Sequence, residues 1–467
     1  MSQATRTVRA DELNPGMVIE EVTELSFDYA SLDEKSLKFL KNAFKGAKAV
    51  LVGGDGVKTV AVEELKLYDS LQSILSISPS SKIATVVEGM GAAMEKYGLL
   101  EFKVSQSGKS APAVHTAPKT DGEAIPIGSQ AAKKRFEVKK EEVKKFLASM
   151  EKAVSSREQS NLTVEEMLDN GRQGKFSSKG VEKMVEEILD EGATPAMKAI
   201  AGLRGSDQTY AHCTDMSVIL QECYVDILGR GGRNPSPANR RFALIAGFMH
   251  DIGKSEVPKD ILESTDRFSP DSQEMILMRN HTTYGSRILS DMGMPNVTIN
   301  VAHYHHVKTE TTLLTSYPKV SYAEVLPLTR LASITDVYQA LIGKRRYKKS
   351  WVPGKAIEYL IQLEGSEFDA RVLKQFIDAM GRYPLGSLVR LSTNTLAFVM
   401  EMAPIEHAGR PIVAVVENAD GELLTNHTLL DLMVEADLTI TEVVDHYQHF
   451  SKTEDQAFNI FKSIRVA

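Results

Sequence analysis

Hydrophobic residues recur at helical spacing throughout the middle of the chain. Phe242, Ile245 and Met249 lie three or four positions apart just before an adjacent His and Asp, which predicts a buried helix. Over residues 156–383 the pattern is almost wholly of this kind, with short loops and no run of alternating strand-like positions. The sequence therefore predicts a central all-α helical bundle.

The pattern changes on both sides of this bundle. Residues 1–104 mix strand-like and helix-like stretches, which predicts a small α/β N-terminal domain. Residues 105–132 are rich in Ser, Gly, Pro, Ala and Lys and predict a flexible linker, because they bury too little apolar surface to become ordered. Residues 133–155 are charged and predict a solvated lead-in helix, with an oligomer contact as the alternative. Residues 384–467 predict a small β-rich appendage that ends in a terminal helix.

The composition is ordinary for a globular protein and argues against several classes of function. The 467 residues, 42% hydrophobic and 25% charged, suggest several domains. A net charge of -7 argues against a general nucleic-acid binder. The two cysteines, Cys213 and Cys223, exclude a disulfide scaffold and a thiolate zinc site. Because no apolar run is long enough to span a bilayer, we expect a cytoplasmic protein without membrane insertion.

Seven titratable side chains fall on inward faces or at the ends of successive predicted helices. They are His212, His250, Asp251, His281, His305, His306 and Asp336. Taken singly, each is explained by hydrogen bonding within a core. Taken together they are too many for a core without metal, because each buried polar group needs its own partner. The set therefore predicts a metal site, with His303 outside it.

Two glycines accompany these residues. Gly253 follows the His-Asp pair and is predicted to take a left-handed turn at the end of the helix. Gly285 is predicted to share one helix with Met278 and His281, and it leaves room for close approach of a neighbouring element.

In order and spacing, these motifs resemble the HD-GYP family, the branch of the HD phosphohydrolase superfamily that hydrolyses cyclic di-GMP. The resemblance covers about residues 190–370 and rests on His250-Asp251-Ile252-Gly253-Lys254, His281 with Gly285, His305-His306, and Asp336 followed by Arg345 and Lys348. It implies a centre of two or three divalent metal ions, iron or manganese, held by the seven residues above. It further implies catalytic roles for Asp251 and Lys254, and contacts from Lys254, Arg345 and Lys348 to the substrate phosphate.

The resemblance also implies a biological setting. The substrate would be cyclic di-GMP, and the partners would be diguanylate cyclases or other bacterial signalling proteins. Homodimerisation is left open.

Three positions depart from the family's pattern. Gln208 stands where members with a third metal carry Glu, so we expect two metals. Val307 replaces the Glu that normally follows the histidine doublet. The Gly-Tyr-Pro loop appears as Ser316-Tyr317-Pro318 after a longer, Thr-rich stretch. We expect these departures to affect the rate and specificity of hydrolysis and the choice of partner more than they affect metal binding.

Two other functions stay open at this point. A different HD nucleotide phosphohydrolase usually needs only His, His-Asp and Asp for one metal, so His281 and the doublet favour the dinuclear diesterase. A module that acts by nucleotide binding or partner docking, without turnover, fits the altered loop. The basic cluster 344–349 indicates a phosphate site in either case, with a solvated helix end as the alternative.

Overall fold

The computed structural model describes residues 125–203, 209–231, 235–264, 268–343, 350–450 and 455–466, together with the backbone of six N-terminal strands. These strands are β1 (Arg6–Arg9), β2 (Met17–Val22), β3 (Lys48–Gly53), β4 (Gly56–Ala61), β5 (Leu75–Ser76) and β6 (Glu101–Gln106). They pair antiparallel in the order β1-β6-β2-β5-β3-β4. The remainder of the predicted N-terminal domain and residues 107–124 of the predicted linker lie outside the described residues.

Helices make up most of the described chain from residue 130 to residue 380. They are α1 (Gln130–Arg172), α2 (Lys179–Glu191), α3 (Thr194–Leu203), α4 (Thr209–Arg230), α5 (Pro237–Met249), α6 (Lys259–Glu263), α7 (Gln273–Arg279), α8 (His281–Asp291), α9 (Asn296–Tyr304), α10 (Pro327–Ile342), α11 (Pro353–Gln362) and α12 (Ala370–Met380). Helix α1 begins after Ser129, whose hydroxyl accepts a hydrogen bond from the Ala132 N–H. It runs without a break across residue 156, where the predicted lead-in helix meets the predicted bundle.

Helix α4 lies at the centre of the bundle. It packs against α1, α3, α5, α10 and α12, so buried residues of α4 take part in five helix–helix interfaces. The large side chains of Phe248, Tyr338 and Phe376 are fully buried in this region. The predicted helical character of the central segment is therefore confirmed.

An ion pair ties α4 to α1 inside the bundle. The guanidinium of Arg157 donates two hydrogen bonds to the carboxylate of Asp215, at 2.7 and 2.8 Å. Both side chains are almost completely buried. The bidentate geometry offsets the cost of removing two charges from water. Because Asp215 lies one turn after His212, the pair also holds a predicted metal ligand in place.

The C-terminal part forms an antiparallel sheet that shares a core with α1. Its strands are β7 (Leu388–Leu391), β8 (Leu396–Glu401), β9 (Ile412–Glu417), β10 (Leu423–Asp431) and β11 (Ile440–Val443), in the order β10-β9-β8-β7-β11. Met150 of α1 and Phe398 of β8 belong to one apolar cluster, and Arg135 pairs with Asp431 at 2.7 Å. The predicted β-rich region is confirmed.

The tail differs from the prediction in one respect. Instead of a single terminal helix, the structure has two short ones, α13 (His446–His449) and α14 (Gln456–Ser463). Residues 451–454 between them lie outside the described residues. Among the helices that are described, none combines the length and the apolar character needed to cross a bilayer.

The buried ion pair gives a test of the bundle. In Asp215→Asn, Arg157 keeps its buried charge and loses its counterion, so we expect the free energy of unfolding to fall by about 3 to 5 kcal/mol. The matched control is Glu187→Gln, which breaks an exposed pair with Lys183 on α2 and should cost less than about 1 kcal/mol. Urea denaturation measures both. Equal losses in the two variants would show that the buried pair does not hold α1 to α4.

Candidate metal centre

The seven predicted ligands come from several elements of the bundle and meet at one place. His212 lies on α4 and Asp336 on α10. His250 caps the C-terminus of α5, and Asp251 follows it at the start of a short 3-10 helix, Ile252–Glu256. His281 begins α8, and the doublet ends α9.

Six of the seven predicted ligands fall into two triads, and the seventh, Asp251, forms a further group with His250 and Cys213. Within each triad the nitrogen and oxygen atoms lie within 4.8 Å of one another; the triads are His212, His250 and Asp336, and His281, His305 and His306. In the first, His212 Nε2 lies 3.0 Å from Asp336 Oδ1. In the second, the Nε2 atoms of His281 and His305 are 3.4 Å apart.

Asp251 lies between the two triads. Its Oδ1 faces the second triad, 3.4 Å from His281 Nε2 and 3.9 Å from His305 Nε2. Its Oδ2 faces the first, 3.3 Å from His250 Nε2 and 3.9 Å from His212 Nε2. One buried carboxylate thus presents an oxygen to each triad.

Three of the histidines are oriented by the main chain. Each places Nδ1 within hydrogen-bonding distance of a carbonyl three or four residues earlier: His250 to Gly247 (2.7 Å), His281 to Met278 (2.6 Å) and His305 to Val301 (2.9 Å). Donation from Nδ1 fixes the tautomer and leaves the Nε2 lone pair directed into the cluster.

His212 is oriented by a residue that the sequence analysis missed. Its Nδ1 contacts Oε1 of Gln339, which is buried on α10. Gln339 lies three residues after Asp336, and positions three apart share one face of a helix. That spacing is the signal by which the sequence could have revealed it.

The charges at the site favour the forms that bind metal. Burial acts to raise the pKa of Asp251, but the positive charge of Lys254 and the contacts with His250 hold it well below its ordinary value. Burial also acts to raise the pKa of Asp336, which His212 holds well below its ordinary value. Both carboxyl groups are therefore ionised at neutral pH.

The imidazoles respond to burial in different ways. Burial lowers the pKa of His281 to about 4 and that of His305 to about 3, so both are neutral at pH 7. Burial by itself would lower the pKa of His250 as well, but the charge of Asp251 raises it. Metal ligation requires neutral imidazole and ionised carboxylate, and most of the set is already in those forms.

Within the described part of the chain, two buried atoms of the cluster have no hydrogen-bond partner, namely His250 Nε2 and Asp251 Oδ1. A buried polar atom without a partner is costly unless something satisfies it. Imidazole nitrogen and carboxylate oxygen together suit iron and manganese. On its chemistry and on these two atoms, the site fits divalent metal ions.

Two local predictions were wrong. Gly253 takes no left-handed conformation; it lies within the 3-10 helix, so close to α8 that a Cβ atom would lie 1.9 Å from the His281 carbonyl oxygen. Met278 does not share a helix with His281, because α7 ends at Arg279 and α8 begins at His281. The break lets the His281 ring reach back to the Met278 carbonyl. Gly285 does make the predicted close approach, 3.4 Å from the Gly253 nitrogen as measured from a Cβ position.

The site is open on one side. The side chains of His306, Lys254 and Asp336 keep 22%, 18% and 11% of their surface exposed, whereas His250, Asp251, His281 and His305 keep 2% or less. Lys254 Nζ contacts Asp251 Oδ2. These three residues are therefore the most exposed of the cluster.

The altered loop lies at this opening. The Tyr317 ring stacks on His306 with 4.6 Å between ring centres, and the main-chain N–H of Tyr317 donates to the His306 carbonyl at 3.2 Å. Ser316 Oγ accepts a hydrogen bond from the Lys308 N–H at 3.1 Å. Although the loop departs from the Gly-Tyr-Pro sequence, its tyrosine contacts a predicted ligand directly.

Four other residues named from the sequence lie either outside the cluster or outside the described residues. Gln208, Arg345 and Lys348 lie outside the described residues. His303 is half-buried and stacks on Tyr304 at 4.3 Å, away from both triads, as expected for a residue outside the cluster.

Residues 221–372 match the model of the HD domain family. A cyclic di-GMP phosphodiesterase from Pseudomonas aeruginosa is 32% identical over 209 residues, 44% of this chain and 48% of that protein. A cyclic di-GMP phosphodiesterase response regulator from Xanthomonas campestris is 32% identical over 136 residues, 28% of this chain and 34% of that protein.

A third relative is named for a different cyclic dinucleotide. The 3′3′-cGAMP-specific phosphodiesterase 2 of Vibrio cholerae is 30% identical over 133 residues, 28% of this chain and 24% of that protein. The chain spans less than half the length of each of these relatives.

Solved structures give weaker likenesses. Bd1817, a HDG"Y"P protein from Bdellovibrio bacteriovorus, is 12% identical with a TM-score of 0.37, over 80% of this chain and 99% of that one. The HD domain of the phosphodiesterase PgpH from L. monocytogenes is 21% identical with a TM-score of 0.27, over 42% of this chain and 93% of that one. Likenesses at this level do not establish the fold.

Close packing at Gly253 gives a prediction. In Gly253→Ala the added methyl group would collide with main-chain atoms of α8, so we expect a loss of about 3 kcal/mol in unfolding free energy and a displaced His281 that binds metal more weakly. The control is Gly229→Ala, where a Cβ meets nothing within 4 Å and helix propensity predicts a gain of up to about 1 kcal/mol. Urea denaturation and metal titration check both; an unchanged Gly253→Ala protein would contradict the packing.

The lowered imidazole pKa values predict acid sensitivity in metal-free protein. His281 and His305 bind a proton in the unfolded chain near pH 6.5 but in the folded state only near pH 4 and 3. The unfolded state therefore binds more protons below pH 6.5, and stability falls as the pH falls. Each residue should contribute a loss of about 2 kcal/mol between pH 7 and pH 5, with His250 acting in the opposite sense.

Urea denaturation after chelation measures this dependence. His281→Gln should remove about 2 kcal/mol of the loss between pH 7 and pH 5. His407→Gln, far from the cluster in the C-terminal part, serves as the control. If both variants keep the wild-type slope, His281 is not held neutral by burial.

Proposed function

We propose that the chain is a metal-dependent phosphodiesterase that hydrolyses cyclic di-GMP in bacterial second-messenger signalling. The observation that supports this most strongly is the position of Asp251 between two triads of metal-binding side chains. Paired divalent metals are a common solution for phosphodiester cleavage. The relatives named cyclic di-GMP phosphodiesterases narrow the proposed substrate.

The proposed metal centre holds two ions, iron or manganese. His212, His250 and Asp336 would hold one ion, and His281, His305 and His306 would hold the other. Asp251 would contact both. Bound metal ions would lower the pKa of a water molecule to near neutrality and stabilise negative charge on the phosphate oxygens.

The protein's own residues would orient the cyclic dinucleotide and neutralise the charge of its phosphates. Lys254 already points at the cluster from its open side, where its ammonium group can neutralise a non-bridging phosphate oxygen. Arg345 and Lys348 are proposed to bind phosphate as well, since a cyclic dinucleotide carries two negative charges. Tyr317 covers one face of His306 and so limits water on that side of the centre.

The proposed setting extends beyond the reaction itself. We place the protein in the cytoplasm, with diguanylate cyclases or other signalling proteins as partners and a homodimer as one arrangement. The acidic net charge of -7 argues against nucleic acid as a partner.

The test is hydrolysis of cyclic di-GMP by protein reconstituted anaerobically with iron or manganese, with products separated by chromatography. Replacing His250 and Asp251 by Ala removes a ligand from the first triad and the carboxylate shared by both triads. We expect this double variant to lose at least about 1000-fold in rate, the equivalent of several kcal/mol of charge stabilisation. Its metal content should fall from two ions per chain.

His303→Ala is the matched control, because it removes a nearby histidine that lies outside both triads. It should keep both the metal and the rate. If the wild-type protein binds metal but does not cleave cyclic di-GMP, the proposed phosphodiesterase activity is refuted. A nucleotide-binding module is then supported.

A further inference from the structure

A cationic side chain lies beside the opening of the metal centre. Arg279 is the last residue of α7, and its guanidinium carbon lies 5.7 Å from the centre of the Tyr317 ring. The same ring stacks on His306. A single aromatic side chain therefore separates Arg279 from a proposed metal ligand.

The junction between α7 and α8 fixes the position from which Arg279 extends. The Thr282 hydroxyl donates to the Arg279 carbonyl at 3.2 Å, and the Asn280 N–H donates to the Ile276 carbonyl at 3.1 Å. His281, one residue further on, is held by the Met278 carbonyl. The same short segment of main chain thus places both Arg279 and a proposed metal ligand.

The charge of Arg279 has no carboxylate partner among the described residues. In the part of the chain that the structure describes, Arg279 makes no ion pair. Lys254, by contrast, is in contact with Asp251, and Arg287 on α8 pairs with Glu256. Arg279 is therefore a cation that a bound anion can use without breaking an existing ion pair.

We propose that Arg279 binds the second, non-reacting phosphate of a cyclic dinucleotide while the first phosphate lies at the metal centre. This inference rests on the proposed function. The planar guanidinium donates two parallel hydrogen bonds, which match a phosphate group. Arg279 thereby selects a dianionic ring over a diester with one phosphate, and it acts through binding rather than through the bond that is cleaved.

The experiment compares two substrates with full-length, metal-loaded protein. Cyclic di-GMP has a second phosphate, whereas bis(4-nitrophenyl) phosphate has only the reacting one. In Arg279→Gln we expect KM for cyclic di-GMP to rise about 10- to 100-fold, the value of a charge-assisted hydrogen bond. The kcat for cyclic di-GMP, and both constants for bis(4-nitrophenyl) phosphate, should stay within about twofold.

Arg287→Gln is the matched control. The Arg287 guanidinium carbon also lies 5.7 Å from a tyrosine ring, that of Tyr284, but its charge is paired with Glu256. It should leave all four constants unchanged. Equal losses on both substrates in Arg279→Gln would overturn the inference, because Arg279 would then act on the metal ligands.

A third nucleotide distinguishes a contact between Arg279 and phosphate from a contact between Arg279 and a base. An arginine can also donate to O6 and N7 of guanine, whereas adenine offers a donor in place of O6. If Arg279→Gln weakens binding of cyclic di-GMP but leaves that of cyclic di-AMP unchanged, the contact is to the base and the phosphate assignment is wrong. Equal weakening of both nucleotides supports the phosphate.

Failure of the proposed function would be distinguishable from failure of this inference. If wild type cleaves no cyclic dinucleotide, the diesterase is refuted, and equilibrium dialysis with cyclic di-GMP then tests Arg279 alone. A Kd at least about tenfold weaker in Arg279→Gln than in wild type supports the contact. Equal Kd values, or no binding by wild type, overturn it.

Discussion

The central physical constraint in this protein is a buried carboxylate whose two oxygens face opposite ways. Asp251 is almost completely inaccessible to water, yet its pKa lies well below the ordinary value, so its charge must be balanced inside the protein. Lys254 balances part of it from the open side. His250, whose pKa is raised by Asp251, faces the Oδ2 atom, whereas His281 and His305 are neutral at pH 7. The two carboxylate oxygens thus face potential metal ligands on both sides, and this geometry favours a cation site.

The bundle supplies this site largely from the ends of its helices. A helix terminus leaves main-chain groups without intrahelical partners, and a side chain placed there can use them. His250 and His305 lie just past the last residues of α5 and α9, and His281 begins α8. Their Nδ1 atoms reach carbonyls of the preceding turn. The main chain thus orients most of the imidazoles, and a side chain, that of Gln339, orients His212.

Helical spacing was enough to predict the bundle and the seven residues that meet in it, because apolar faces and inward histidines follow one period. The breaks between elements were harder to predict. Neither Gly nor Pro lies between Met278 and His281 to mark the end of one helix and the start of the next. Gly253 was recognised as special for the wrong reason, because a close approach between distant segments leaves no local signal. The contact between Tyr317 and His306 likewise depends on how a loop folds back.

Helix α1 has a mechanical consequence. At 43 residues it is about 65 Å long. Arg135 near its start holds the C-terminal sheet, and Arg157, six turns further on, holds the helix that carries His212. A stiff rod fixed at two points about 33 Å apart behaves as a lever arm. A force that tilts the sheet against α1 is therefore transmitted along the helix to the neighbourhood of His212, a predicted metal ligand.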